Sequence, residues 1–192
     1  MTPIFEVETK FRISYPQYVQ ELPDRLIALG FQSHGQSFQE DHFLPVAVKS
    51  DNKRIRFQHT AGVNKIMLTL KQKVEIDGVA TRKEQETPLT NDEAQAMLEY
   101  ARQETGRAVP SFSKFRYAFT GVYGGKQCLV CLDSVDDDNC FMEVEFLVEK
   151  EDEVARADIL VDKFAIELLG ENACREPRSH KEMLFERLGL TH

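Results

Sequence analysis

The chain has 192 residues, 42% of them hydrophobic and 29% charged, with a net charge of −8 at neutral pH. That is room for one domain with a real core and little more; no apolar run reaches the length that spans a bilayer, and the acidic balance excludes general nucleic-acid binding, which draws on a surplus of Lys and Arg. Residues 1–192 are read as a single domain whose start carries no secretory signal, so a cytoplasmic location is expected, as monomer or homodimer with no membrane or nucleic-acid partner.

In chain order, Phe5-Glu6-Val7-Glu8-Thr9-Lys10-Phe11-Arg12-Ile13 alternates charged and mostly apolar positions, so a strand here carries Glu6, Glu8, Lys10 and Arg12 on one face. Ser14 with Gln17 caps a helix of about four turns marked by Tyr18, Leu22, Leu26 and Leu29 and stopped by Gly30. Residues 31–44 read as extended, and a polar connector over 49–52 follows. The strand Lys53–Gln58 sets Arg54 and Arg56 opposite Ile55 and Phe57. A turn at 61–64 leads into Lys65–Ile76, with Lys65, Lys71 and Lys73 on the polar face.

Past Asp77-Gly78, the segment Thr81–Thr87 places Arg82, Glu84 and Glu86 together, although its strand propensity is weak. Thr90 and Glu93 form a capping box for a helix ending at Gly106. Strands resume with Lys114 and Arg116 opposite Phe115, Tyr117 and Phe119, then Gln127–Val135 with Leu129, Cys131 and Asp133 on one face. After an acidic loop over 136–139, Phe141–Val148 repeats the opening Glu-x-Glu at Glu143 and Glu145. A helix over 151–169 and a short one capped by Ser179 and Glu182 close the chain. Cys128 and Cys131 have C-x-x-C spacing but face opposite sides of a strand, and no second pair completes a zinc site; all four cysteines are read as reduced thiols.

Strands that are charged on one face and apolar on the other, with amphipathic helices to cover the apolar faces, make an α+β fold with a mainly antiparallel sheet. The charged faces then either meet water separately on an open sheet or line the bore of a closed barrel, and the balance of signs favours the barrel. Buried charge of this kind must be wet or matched by a ligand. Lys and Arg suit phosphate oxygens, clustered carboxylates suit a hard cation such as Mg2+ or Mn2+, and a metal-bound polyphosphate answers both.

In this order, Glu6-x-Glu8-x-Lys10, Arg54-x-Arg56, Lys71, Arg82-x-Glu84-x-Glu86, Lys114-x-Arg116, Asp133 and Glu143-x-Glu145 resemble the CYTH or triphosphate-tunnel metalloenzyme family over nearly the whole chain. The resemblance implies a closed, eight-stranded antiparallel β-barrel with helices packed outside. It implies a metal-dependent enzyme acting on a nucleotide or another triphosphate with Mg2+ or Mn2+. The start of the chain and the segment Glu176–Leu184 look like bacterial class IV adenylyl cyclases, which convert ATP to cyclic AMP and pyrophosphate; thiamine triphosphatase, inorganic triphosphatase and a non-catalytic polyphosphate-binding module are the alternatives. Three features depart from the cyclase pattern: His180 stands where a Tyr is usual, the loop after Asp133 is not Gly-rich, and no Asp-Thr-Pro run follows Phe43.

On the residues that carry the resemblance, Glu6, Glu8 and Lys10 are expected to be catalytic. Lys10, Arg54, Arg56, Lys71, Lys114, Arg116 and Lys181 are expected to hold phosphates, and Glu6, Glu8, Asp133, Glu143 and Glu145 the metal. Glu84 and Glu86 are read either as metal ligands or as partners of the tunnel cations, and Lys73 and Arg82 as rim residues. His42, His59 and His180 have no partner legible in the sequence.

Overall fold

A computed structural model describes residues 5–46, 52–135, 139–171 and 173–190; positions 49–51 of the expected connector over 49–52 and positions 136–138 of the expected acidic loop over 136–139 lie outside them. Eight strands form, β1 (Phe5–Ile13), β2 (Gln32–Phe43), β3 (Asn52–Thr60), β4 (Val63–Ile76), β5 (Val79–Pro88), β6 (Ser111–Tyr123), β7 (Lys126–Val135) and β8 (Asn139–Val148). Every neighbouring pair is antiparallel, and the order β1-β5-β4-β3-β2-β6-β7-β8 closes on itself as a barrel. The weak segment at 81–87 becomes β5 because β4 offers it a partner at every residue from Ile76 to Met67. Ladder pairing here overrides propensity.

Four helices pack outside: α1 (Leu22–Ala28), α2 (Asn91–Thr105), α3 (Val154–Leu169) and α4 (His180–Arg187). The expected first helix divides into a wide π turn, Gln17–Glu21, followed by α1. Pro23 lacks the N–H that a regular helix would return to residue 19, and widening the turn before it removes the mismatch. The capping boxes form as expected, with Thr90 Oγ1 accepting from Glu93 N and Ser179 Oγ from Glu182 N, and Gly106 ends α2 at φ 62°.

Alternation in the strands puts the apolar core between barrel and helices rather than inside the barrel. Phe5, Val7 and Phe11 of β1, Val130 and Leu132 of β7, and Met142, Val144 and Phe146 of β8 are buried against Val161, Phe164 and Leu168 of α3 and Leu22 and Leu26 of α1. Each such side chain contributes on the order of 1.5–3 kcal/mol. On the other flank α2 covers Ile55 of β3 with Ala94, Leu98 and Ala101. Gly121 lets β6 run beneath Phe31, whose ring a Cβ there would meet at 2.7 Å.

The seam between β1 and β5 is short, with Glu6 opposite Arg82 as its registered pair. Further along β1, its free edge is taken by the segment before α4: Arg12 N donates to Cys174 O at 3.4 Å and Glu176 N to Lys10 O at 2.7 Å. This strap is pinned by Glu176, which receives Arg12 at 2.6 Å and Arg178 at 2.8 Å. It delivers α4 over one end of the barrel, where Leu184 joins Phe43 and Phe112. At the other end a cavity of about 300 Å³ is lined by His34, Ser37, Gln58, Thr60, Lys65 and Ala118.

Candidate active site

The inward faces of the strands meet in one ionic lumen, with three groups of contacts. In the first, Glu6, Glu8 and Glu145 bring carboxylate oxygens within 4.8 Å of one another. They are adjacent because β1 pairs with β8 at Glu8 and Glu145, and Glu6 lies two residues along the same face. Lys71 of β4 reaches across the bore to Glu6 at 2.8 Å, Glu8 at 3.3 Å and Glu84 at 2.8 Å, while Arg82 contacts Glu8 at 2.9 Å.

One ammonium and one guanidinium among four carboxylates leave this side short of positive charge. Burial pushes the Glu6 carboxyl upward, and Glu8, Glu145 and Glu84 add repulsion that Lys71 does not cancel. Burial and then Glu8 raise Glu145 to about 6. Burial acts on Glu8 in the same direction, but Lys71 and Arg82 outweigh it and hold that carboxyl low, at about 2. Without a further cation, the group keeps a proton among its acids.

The second group centres on Asp133 of β7, which is fully buried. It accepts from Lys114 Nζ at 2.7 Å and from Arg116 Nε and Nη2 at 2.6 Å each. Arg116 extends the network to Glu143, to which Lys10 adds an ion pair at 3.5 Å. Burial opposes ionisation of both acids, yet Arg116 and Lys114 hold them below the usual carboxylate range. Burial and Arg116 bring the Lys114 ammonium down to about 8. In the third group Arg56 forks onto Asp41 of β2 at 2.7 and 2.8 Å, and Arg54 approaches the same carboxylate at 3.5 Å.

Most sequence-predicted residues therefore converge: Glu6, Glu8, Lys10, Arg54, Arg56, Lys71, Lys114, Arg116, Asp133, Glu143 and Glu145 all line the lumen. The five expected metal ligands fall into two groups. Glu6, Glu8 and Glu145 form the first, and Asp133 and Glu143 stand with Lys10, Lys114 and Arg116. Arg82 is a lumen residue through its contact with Glu8 rather than a rim one, while Lys73 is exposed. Glu84 pairs with Lys71, and Glu86 accepts from Thr69 at 3.3 Å on an exposed side chain. Lys181 lines a separate cavity of about 540 Å³ with Phe43, Leu44, Arg107 and Phe185, its ammonium 5.5 Å from the Phe185 ring centre.

Sequence reasoning missed Asp41, which the pattern Ser37-x-Gln39-x-Asp41 could have flagged, since all three are buried on the inner face of β2. It also left His180 without a role. The structure places that ring between Phe112 and Phe141, with Nδ1 3.7 Å from Glu143. His42 pairs with Glu40 and His59 with Asn64, away from these groups.

The fit to a divalent cation differs between the two acidic groups. Glu6, Glu8 and Glu145 offer hard oxygen donors whose charge Lys71 and Arg82 compensate only in part, the chemistry that suits Mg2+ or Mn2+. Asp133, Glu143 and His180 also lie within 4.8 Å of one another, but their carboxylates are already spanned by Lys114 and Arg116.

A closed antiparallel barrel with a bore lined by paired ions, helices outside and one end covered defines a tunnel protein. The CYTH domain model matches residues 5–178, and the chain belongs to that family. None of the curated proteins compared with the chain matches it. Among solved structures it is similar to the PH1819 protein of Pyrococcus horikoshii, 26% identical with a TM-score of 0.74 over 95% of this chain and 99% of that one. A candidate adenylate cyclase of Vibrio parahaemolyticus is 20% identical with a TM-score of 0.66, covering 94% and 97%. HpAC1 of Hippeastrum, for which a dominant triphosphatase activity is described, is 20% identical with a TM-score of 0.61 over 97% of each chain.

Proposed function

We propose that the protein is a metal-dependent enzyme acting on a triphosphate, with conversion of ATP to cyclic AMP and pyrophosphate as its reaction. The observation that carries the first part is the separation of charge in the lumen. Glu6, Glu8, Glu84 and Glu145 outnumber Lys71 and Arg82 on one side, while Lys10, Arg54, Arg56, Lys114 and Arg116 outnumber Asp41, Asp133 and Glu143 on the other. A polyanion bound to a divalent cation supplies what each side lacks.

Glu6, Glu8 and Glu145 would hold Mg2+ or Mn2+, which when bound neutralises phosphate charge and polarises the reacting phosphoryl group. Lys10, Arg54, Arg56, Lys114 and Arg116 align the phosphates and stabilise charge gathering on the leaving group. In the cyclase reaction the ribose 3′-oxygen attacks the α-phosphorus, the bond to the β-phosphate oxygen breaks, and pyrophosphate leaves under the pull of these cations. The cyclase-like segments at 5–12 and 176–184 favour this chemistry. A second reading, hydrolysis of the terminal phosphate, is favoured by the likeness to HpAC1.

Incubating the purified protein with ATP, thiamine triphosphate and inorganic triphosphate, each with Mg2+ or Mn2+, tests the assignment. Cyclic AMP with pyrophosphate supports the cyclase, and inorganic phosphate the hydrolase. Tight binding with no product reduces the protein to a polyphosphate-binding module, and neither binding nor product removes the triphosphate assignment.

A further inference from the structure

His180 opens α4 directly after the Ser179 cap, two residues beyond the end of the family match. Its ring centre lies 5.3 Å from that of Phe112 and 5.4 Å from that of Phe141, and its side chain is only 10% exposed. Nε2 is fully buried and has no hydrogen-bond partner, and Nδ1, at 3.7 Å from Glu143, is beyond hydrogen-bonding distance. An imidazole carries at least one N–H in either protonation state, so a donor is held here with nothing to receive it. Buried donors of this kind mark a missing partner, because leaving one unmade is costly.

The chemistry around the ring says what the partner is. Lys10 and Lys114 both act electrostatically on His180, and the nearby acids Glu143 and Asp133 are already engaged by Arg116. A cation arriving here would have to displace those contacts, whereas an anionic oxygen would meet Lys10, Lys114 and the orphaned N–H together. We infer that His180 is a substrate-contacting residue, donating a hydrogen bond to a phosphoryl oxygen of the bound polyphosphate at the covered end of the lumen. The inference rests on the triphosphate reading above and extends it to a residue outside the ionic motifs. Because α4 lies over this end, the phosphate that reaches His180 is the terminal one.

The contact is tested on the full chain labelled with 15N at histidine, titrated with inorganic tripolyphosphate in the absence of metal. A ring nitrogen of His180 is expected to shift on binding and to saturate with the occupancy measured by calorimetry. His180→Phe keeps a ring between Phe112 and Phe141 but has no donor, and is expected to weaken tripolyphosphate binding about tenfold. His180→Gln restores an N–H donor and is expected to recover most of that loss. A wild-type protein that binds tripolyphosphate while the His180 resonances stay still overturns the inference, as does a folded His180→Phe variant that binds as tightly as wild type. Should that variant fail to fold, the wild-type titration decides alone. Resonances moved by Zn2+ alone and not by tripolyphosphate make His180 a metal ligand and equally overturn it. Failure of the underlying reading looks different: no tripolyphosphate binding with or without Mg2+, which removes both.

Discussion

The two sides of the lumen hold comparable numbers of ionic groups at comparable depth, yet they sit in opposite electrostatic conditions. Around Asp133 every carboxylate has its cations in hand, and the acids are held ionised. Around Glu6 and Glu145 the acids are forced together and two of them are pushed toward protonation. Burial is the largest influence on Asp133, Glu143, Glu6 and Glu145 alike, so burial does not explain the difference. What separates them is local stoichiometry: three cations, Lys10, Lys114 and Arg116, serve Asp133 and Glu143, while Lys71 and Arg82 are shared among Glu6, Glu8, Glu84 and Glu145. The side around Asp133 holds its own acids ionised, whereas the side around Glu6 would gain most from a positive charge supplied from outside.

Breaking the Asp133 side should have the largest effect. Asp133→Asn strands Lys114 and Arg116 in the wall and is expected to cost about 3–5 kcal/mol in denaturant unfolding. A smaller loss would mean that water already shields the pair. On the Glu6 side, Glu8→Gln is expected to leave the fold intact while lowering metal-dependent turnover about a hundredfold to a thousandfold, equivalent to several kcal/mol. Unchanged turnover with saturating Mg2+ would take Glu8 out of the metal site.

The comparison is sharpened by pH. Glu145 titrates near 6 in the folded chain against an ordinary value of 4.5. Its contribution to stability is therefore fully present below 4.5 and is lost as the pH rises to about 6. In metal-free protein, Glu145→Gln should match wild type near pH 4 and become more stable by about 2 kcal/mol at pH 7. Added Mg2+ should close the gap by stabilising wild type alone, and a gap independent of pH would show that Glu145 carries no such penalty. The smallest effect is expected from Arg56→Lys, which keeps the charge but loses the fork onto Asp41. Tripolyphosphate binding should weaken by a few-fold, about 1 kcal/mol, as read by calorimetry.

The repeated Glu-x-Glu and Arg-x-Arg patterns made the barrel and most of its lumen legible because strand alternation fixes which side chains share a face. The same rule did not expose Asp41, since Ser37, Gln39 and Asp41 also fit a strand with an ordinary wet face. Nor could it divide the acids into two groups, because that depends on how Lys71 and Arg116 reach across the bore. The surroundings of His180 and Lys181 were harder still to read. Successive helix positions point about 100° apart, so spacing alone cannot say which of two neighbours turns toward the barrel. In the structure His180 meets Glu143 and Lys181 meets the neighbouring cavity.

The strap over residues 174–178 and α4 have a kinetic consequence. With α4 lying over that end and a cavity opening at His34, Thr60 and Lys65 at the opposite one, the two mouths of the barrel are unequal. Under the proposed cyclase reaction, with the terminal phosphate at the covered end, pyrophosphate would follow cyclic AMP out through the open mouth.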